Sequence, residues 1–359
     1  MTEDYEGKPP ALEESPEEGK ISLRKRFFNF RTLISFAIAI GLIVFIFNQL
    51  DVDFSETWSR INDCNPWYFA LAFLCHYLSF PVRAVRWRYL LHHAGIREDQ
   101  DVAMPSTWGL TQMIVINWFT NSILYARMGD AYRAYLFRGK TGVSFSKTLG
   151  TLLAERFLDI IVIVLLTIVS IIWLLLTGGH AWTVFGVVLI AGIILLVVIG
   201  AVVGGMGRFG HKLAKYLPKK IKLYYTMFEQ GTLSSFGQLP LLILMTVTIW
   251  LLEAGRLILV AQALGFNVVE IGIGLLIFAA LANALITAIP LTPGGLGLVE
   301  PGVAGLLTIS LSHASAWSIA LIDRSISFLS VIIVGLMVFA YWHVKEAFHK
   351  RRSVRANVQ

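Results

Sequence analysis

The sequence predicts an all-α polytopic membrane protein with about six full spans and two oppositely oriented re-entrant hairpins, arranged as an inverted repeat. Three observations carry that reading. The 359 residues are 56% hydrophobic and only 15% charged, with a mean hydropathy of +0.68, and several apolar runs reach the roughly 20 residues that a spanning helix needs. The basic residues cluster beside those runs, as in cytoplasmic loops facing an anionic leaflet. One polar pattern also occurs twice. Asn121, Gly129-Asp130 and Glu155-Arg156 carry it first; Asn283, Pro293-Gly294-Gly295, Gly297, Glu300 and Asp323-Arg324 carry it again, about 168 residues later. Ionisable residues are costly inside a bilayer, so their recurrence in two halves points to a path across it.

Charge and cysteine usage exclude several classes. The net charge is +7, but residues 1–20 hold seven acids against Lys8 and Lys20, which leaves the remainder at +12 (28 basic against 16 acidic). A basic balance can mean nucleic acid; here the cations flank apolar spans, and no nucleic-acid partner is expected. Cys64 and Cys75 are too few for a disulfide framework or a metal cluster. His76, His180 and His313 stand at ligand spacing to nothing, so neither a metal site nor a catalytic residue nor a cofactor is assigned.

Residues 1–23, acidic and containing Pro9, Pro10 and Pro16, are expected as a disordered cytoplasmic tail. They do not read as a cleaved signal peptide, because the basic segment begins only at Arg24. A single transmembrane domain is expected over 24–345. Arg24, Lys25, Arg26 and Arg31 precede a first span, about Thr32–Leu50, and the acidic loop Asp51–Asn65 follows it. The N-terminus is therefore inside. A second helix, about Pro66–Leu91, ends inside at Arg83, Arg86, Arg88 and Arg97. The stretch Ser106–Leu124 has basic segments on both sides, so a full crossing would strand one of them outside. With Gln112, Asn117, Thr120 and Asn121 interrupting it, it reads as a broken hairpin entering from the inside.

A helix at about Thr148–Thr177 crosses outward to the turn Gly178-Gly179-His180, and Trp182–Val203 returns to a basic loop from Arg208 to Lys222. Leu239–Leu264 crosses outward. Ile271–Ile309, nearly free of positive charge and split by Pro290-Leu291-Thr292-Pro293-Gly294-Gly295, reads as a hairpin entering from the outside. Trp317–His343 descends to a basic cytoplasmic tail, 346–359. Repeat 1 then covers about 66–177 and repeat 2 about 239–343. Both termini are expected on the cytoplasmic side of the cell's inner (plasma) membrane.

The charged candidates each carry two readings. Arg83, Arg86 and Arg88 either snorkel to headgroups or clamp a phosphate with their fixed fork of donors. Glu155-Arg156 and Asp323-Arg324 either neutralise themselves, or pair as Glu155 with Arg324 across the repeats, or hold a lipid phosphate with the acids tuning its release. Asp159, one turn after Glu155, is a further partner for them. Pro293-Gly294-Gly295 and Gly297 form either a plain glycine bend or an anion site of backbone N–H groups at a half-helix start, with Glu300 as cap or proton carrier. Asn121, Asn283 and Thr292 serve either a headgroup or the broken backbone.

The run Arg83-Ala-Val-Arg-Trp-Arg-Tyr-Leu-Leu91, then Asn121, Gly129-Asp130-Ala-Tyr-Arg133, Glu155-Arg156, Pro290-Leu-Thr-Pro-Gly-Gly-Leu-Gly-Leu-Val-Glu300 and Asp323-Arg324, resembles the transmembrane flippase-like domain of lysylphosphatidylglycerol synthases over roughly residues 30–345. The Pro-Gly-Gly-Leu-Gly-x-x-Glu run is its most specific part. In several relatives a proline precedes the Gly-Asp pair, and Tyr125-Ala126-Arg127-Met128 lacks it. The resemblance implies translocation of an anionic phospholipid, or of a polyprenyl or glycolipid carrier, between leaflets. The chain extends 14 residues past Lys345, so the aminoacyl-transferase domain of the bifunctional relatives is expected to be missing, and aminoacyl transfer with it. The expected site joins Arg83, Arg86, Asn121, Asp130, Arg133, Glu155, Arg156, Arg256, Asn283, Pro293, Gly294, Gly295, Gly297, Glu300, Asp323 and Arg324 around a headgroup. A membrane lipid is the expected partner, and a homo-oligomer stays open. No ATP-binding motif is present, so a gradient, including the lipid's own, would supply the energy. The rival readings are an integral-membrane transferase acting on a lipid-linked substrate and a non-transporting partner in envelope synthesis.

Overall fold

The computed structural model describes residues 59, 61–97, 102–124, 126–176, 182–288 and 292–356. The acidic tail, the first span Thr32–Leu50, and the turn Gly178-Gly179-His180 lie outside the described residues. Within them the regular elements are helical, without a strand. Helix α1 is Pro66–His93, α2 Thr107–Ile123, α3 Met128–Thr141, α4 Phe145–Leu176, α5 Trp182–Tyr216 and α6 Lys219–Leu233. Helix α7 is Leu239–Ala263, α8 Ile273–Ala288, α9 Val299–Leu307, α10 His313–Arg324 and α11 Val331–Ala356. Local chemistry sets several starts: Asn65 accepts from the Trp67 N–H ahead of Pro66, and Ser106 accepts from the Gly109 N–H.

Among the described residues five helices are long and apolar enough to cross a membrane: Pro66–His93, Phe145–Leu176, Leu189–Tyr216, Leu239–Ala263 and His313–Lys345. Their outer faces carry exposed apolar residues such as Leu165, Val169 and Ile172 on α4, Ile190, Ile194 and Val197 on α5, and Ile333 and Met337 on α11. Water would not tolerate such belts; lipid tails do.

Three sequence expectations need correction. The stretch 106–124 is not broken. It forms the continuous helix α2, and the reversal follows it, at Ala126 and Arg127, with α3 as the second limb. Its polar residues are satisfied without opening the helix, since the Thr120 hydroxyl donates back to the Ile116 carbonyl and Asn117 and Asn121 reach across the reversal to Asp130 and Gly129. The basic segment from Arg208 to Lys222 is not a loop, because α5 continues to Tyr216 and Pro218 separates it from α6. No proline lies between Val203 and Tyr216, and the helix carries through Gly204, Gly205, Gly207 and Gly210 despite their low helix propensity. The last helix does not end at His343 but continues to Ala356. By contrast, the split in 271–309 falls where the Pro-Gly run places it, between α8 and α9.

Two backbone reversals share one conformation. Ala126 and Arg127 adopt left-handed φ values of 56° and 51°, and Gly294 and Gly295, each 168 positions later, adopt 56° and 73°. Helices α1 and α7 pack side by side at the centre. The helical pair of each half leans on the last helix of the other: α2 packs on α11 and α8 on α4. At both places a glycine permits close approach. A Cβ on Gly335 would lie 2.4 Å from that of Phe119, and one on Gly274 would lie 2.8 Å from the Trp173 ring.

Two substitutions test this packing in opposite directions, read as thermal unfolding of the purified protein in detergent. Gly335→Ala should lower stability by about 1–3 kcal/mol through overpacking against Phe119. Ala126→Gly should raise it by roughly 1 kcal/mol by relieving a left-handed alanine. Equal, small effects from both would contradict the geometry.

Candidate functional site

A cavity of about 290 Å³ opens between the two halves. Its wall takes side chains from α1, α2, α4, α7, α8 and α10 and from both backbone reversals. Of the expected residues, Arg83, Asn121, Asp130, Arg156, Arg256, Asn283, Gly294, Gly295 and Arg324 line it. Arg86, Arg133, Glu155, Glu300 and Asp323 stand behind the wall, each at most 3% exposed, and Pro293 and Gly297 belong to the reversal without lining the cavity.

Behind and within that wall runs a chain of ion pairs. Arg86 binds Asp159 (2.6 Å) and Glu155 (3.2 Å), and also donates to the Thr246 hydroxyl (2.9 Å). Arg133 binds Glu155 at 3.1 Å and lies 3.7 Å from the centre of the Trp87 ring. Arg256 binds Asp323 at 2.5 Å and Glu253 at 3.3 Å. Arg83 joins α1 to α7 through Glu253 (3.2 Å), which His76 also reaches at 3.3 Å. Arg324 binds Glu300 at 2.7 Å and the Gly294 carbonyl at 2.9 Å, with its guanidinium over the Phe328 ring. Such charges survive burial only when paired, since an unpaired ion inside the bundle costs several kcal/mol.

The pattern of pairs recurs with the backbone. In each half an acid in the first turn after the reversal, Asp130 or Glu300, binds an arginine of the following long helix, Arg156 or Arg324. The acid preceding that arginine, Glu155 or Asp323, binds an arginine of the half's first helix, Arg86 or Arg256. These corresponding residues lie 168 or 170 positions apart.

That arrangement corrects several expectations. Glu155-Arg156 and Asp323-Arg324 do not neutralise themselves, nor does Glu155 reach Arg324. Neighbours in a helix point about 100° apart, so each member finds a partner on another helix. The Gly297 N–H is not free for an anion, because it donates to Glu300 at 2.7 Å. Glu300 therefore caps the bend and anchors Arg324 together. Asn121 likewise serves the backbone, its side-chain oxygen accepting from the Gly129 N–H at 2.7 Å, although it also faces the cavity. Arg88 turns away to the Pro105 carbonyl.

The site list derived from the sequence omitted Glu253, His76, Arg127, Trp118 and Trp250. Glu253 carried a signal: it lies one turn before Arg256, on the same helical face. The tryptophans carried none, because aromatic residues are common in such helices. In the structure they flank Arg83, with ring centres 4.9 Å (Trp118) and 5.4 Å (Trp250) from its guanidinium carbon.

An apolar helical bundle with an arginine-lined internal cavity defines a class: a polytopic integral membrane protein. Within that class, residues 32–335 match the family described as the lysylphosphatidylglycerol synthase TM region, and the chain belongs to it. It is 30% identical over 228 residues to a UPF0104 membrane protein of Methanocaldococcus jannaschii, an overlap of 62% of this chain and 93% of that one. Similarity to the glycosyltransferase AglD of Haloferax volcanii is 24% over 362 residues, covering 88% of this chain but only 55% of that protein. A UPF0104 membrane protein of Methanothermobacter thermautotrophicus is 22% identical over 344 residues, with 88% and 94% of the two chains covered.

Removing one partner of a buried pair should cost far more than removing both. Asp323→Ala, which takes from Arg256 the closer of its two carboxylates, is expected to lose about 3 kcal/mol, whereas Asp323→Leu with Arg256→Met should recover most of that loss. A double-mutant cycle by thermal unfolding in detergent reads the difference, and simple additivity would contradict a direct pair.

Proposed function

We propose that the protein is a lipid flippase or scramblase-like transporter that passes an anionic phospholipid or polyprenyl- or glycolipid headgroup through the cavity. One observation carries this reading. The cavity wall holds five arginines (Arg83, Arg127, Arg156, Arg256, Arg324) against three carboxylates (Asp130, Asp159, Glu253), in a bundle whose outer surface is apolar. An anionic head has complementary charge inside, while its tails have a hydrocarbon-like surface outside.

The recurring reversals, the recurring ion pairs and the exchange of helices between halves support an inverted repeat, with α2–α3 and α8–α9 as re-entrant hairpins entering from opposite sides. Rocking one half against the other would then expose the cavity to each leaflet in turn. The clusters of Lys and Arg favour both termini on the cytoplasmic face of the plasma membrane.

The name of the Haloferax volcanii relative favours a second reading, a membrane transferase acting on a lipid-linked substrate. A catalytic acid must reach the reacting group. The acids that sequence marks for that role, Glu155, Glu300 and Asp323, are all engaged behind the wall, which supports transport without catalysis by this chain.

Reconstituted protein should transfer labelled anionic lipid between leaflets of proteoliposomes, with transfer reduced at least tenfold in Arg156→Ala and Arg324→Ala. Equal leaflet exposure with and without protein, for anionic, zwitterionic and polyprenyl-phosphate lipids alike, would remove the transporter reading. The topology has its own test in a chain with Cys64 and Cys75 replaced by serine. A cysteine at exposed Ser310 should react with an impermeant maleimide on intact cells, and one at exposed Lys215 only after permeabilisation. The opposite result would invert the orientation.

A further inference from the structure

The ion pairs do not balance, and the imbalance has an address. Five arginines each have a close carboxylate: Arg83 with Glu253, Arg86 with Asp159, Arg133 with Glu155, Arg256 with Asp323 and Arg324 with Glu300. The sixth carboxylate of the network, Asp130, is shared. Arg127 approaches it at 3.4 Å and Arg156 at 3.5 Å, the latter also lying 3.6 Å from Asp159. Among the described residues the network thus holds seven arginines against six carboxylates, an excess of one guanidinium. The surplus sits on the two loosely held guanidiniums, whose side chains are 27% and 24% exposed where the others are at most 10%. Both line the cavity.

We propose that Arg127 and Arg156 form the anchoring point for the phosphate of the transported head, and that the site is matched to a singly charged phosphodiester. This assignment rests on the transporter reading and deepens it. One phosphodiester charge cancels the surplus, whereas a phosphomonoester, carrying about −1.5 to −2 at neutral pH, overshoots it. A zwitterionic head would bring an ammonium into a wall that is already positive. Two guanidiniums beside one another offer the paired donors that phosphate oxygens accept. The Nε of Arg156 has no hydrogen-bond partner, and neither does the Nε of Arg83, which is 1% exposed and lines the same cavity.

Arg127 also ties the halves together, donating to the Thr287 carbonyl at the end of α8 at 3.1 Å. A phosphate that engages this guanidinium competes with that tie. Head binding and separation of the two reversals are coupled through one side chain.

Binding to full-length protein in detergent, measured with short-chain phosphatidylglycerol, phosphatidate and phosphatidylcholine, tests the assignment. Soluble glycerol 3-phosphate in a separate arm distinguishes free phosphate ester from lipid. Phosphatidylglycerol should bind best, with affinity falling at least tenfold in both Arg127→Gln and Arg156→Gln and unchanged in Arg88→Gln. Asp130→Asn is the decisive variant. It raises the surplus to two charges, so the preference should move toward phosphatidate by tenfold or more, a change that lost folding alone would not produce. Equal binding of phosphatidylcholine by the unaltered protein, or an unmoved lipid ratio in Asp130→Asn, overturns the assignment. Tighter binding of glycerol 3-phosphate than of any lipid would overturn it in favour of a soluble ligand. Leaflet transfer that persists with the ratio unmoved retires only the anchor; selective binding without leaflet transfer retires only the transporter.

Discussion

Burying arginines inside a lipid-facing bundle is the constraint from which the rest of this structure follows. Arg83, Arg86, Arg133 and Arg256 are each at most 3% exposed, and a guanidinium stays charged at any physiological pH. Each one therefore needs a carboxylate at hydrogen-bond distance, and each has one from another helix. Arg86 requires α4 beside α1, Arg256 requires α10 beside α7, and Arg83 requires α1 beside α7. The arrangement of long helices around the cavity is largely a list of these requirements. Apolar contact between helices adds tightness, but lipid tails offer nearly equal apolar contact and cannot choose one arrangement over another.

The long spans were legible because hydropathy and the placement of cations are one-dimensional signals. The same holds for the doubled polar pattern, whose members converge on one cavity or the wall behind it. What sequence could not reveal was direction. Glu155 and Arg156 are neighbours in the chain, and adjacency suggests a pair; in a helix adjacency means divergence, and each residue serves a different partner. Helix α2 misled for a related reason. Asn117, Thr120 and Asn121 look like interruptions in an apolar run, yet their side chains are satisfied by Asp130, the Ile116 carbonyl and the Gly129 N–H. The true reversal falls at Ala126-Arg127, where neither a glycine nor a proline announces it.

That reversal also shows how unequally the two halves meet one geometric demand. Both place two successive residues in the left-handed region at matching positions. The second half uses Gly294-Gly295, the residue type that accepts this conformation without steric penalty. The first uses Ala126-Arg127 and bears the strain. Strain is retained where the side chain does something glycine cannot. Here the side chain at the second position is a guanidinium facing the cavity and touching the opposite half at Thr287.

The near-symmetry of the ion pairs sharpens that point. Asp130, Glu155, Arg156 and Arg86 have counterparts in Glu300, Asp323, Arg324 and Arg256, so these two sets cancel charge for charge. Arg83 and Glu253 occupy corresponding places, 170 positions apart, and neutralise each other across the centre. Asp159 and Arg133 lack charged counterparts, Ser327 and Val303 standing at the matching places, but they carry opposite signs. What remains is Arg127, whose counterpart is Gly295. The same substitution that strains the backbone therefore supplies the single uncancelled charge. Without Arg127 the ion-pair network would hold as many arginines as carboxylates; a residue at the reversal after α2 gives it its excess guanidinium.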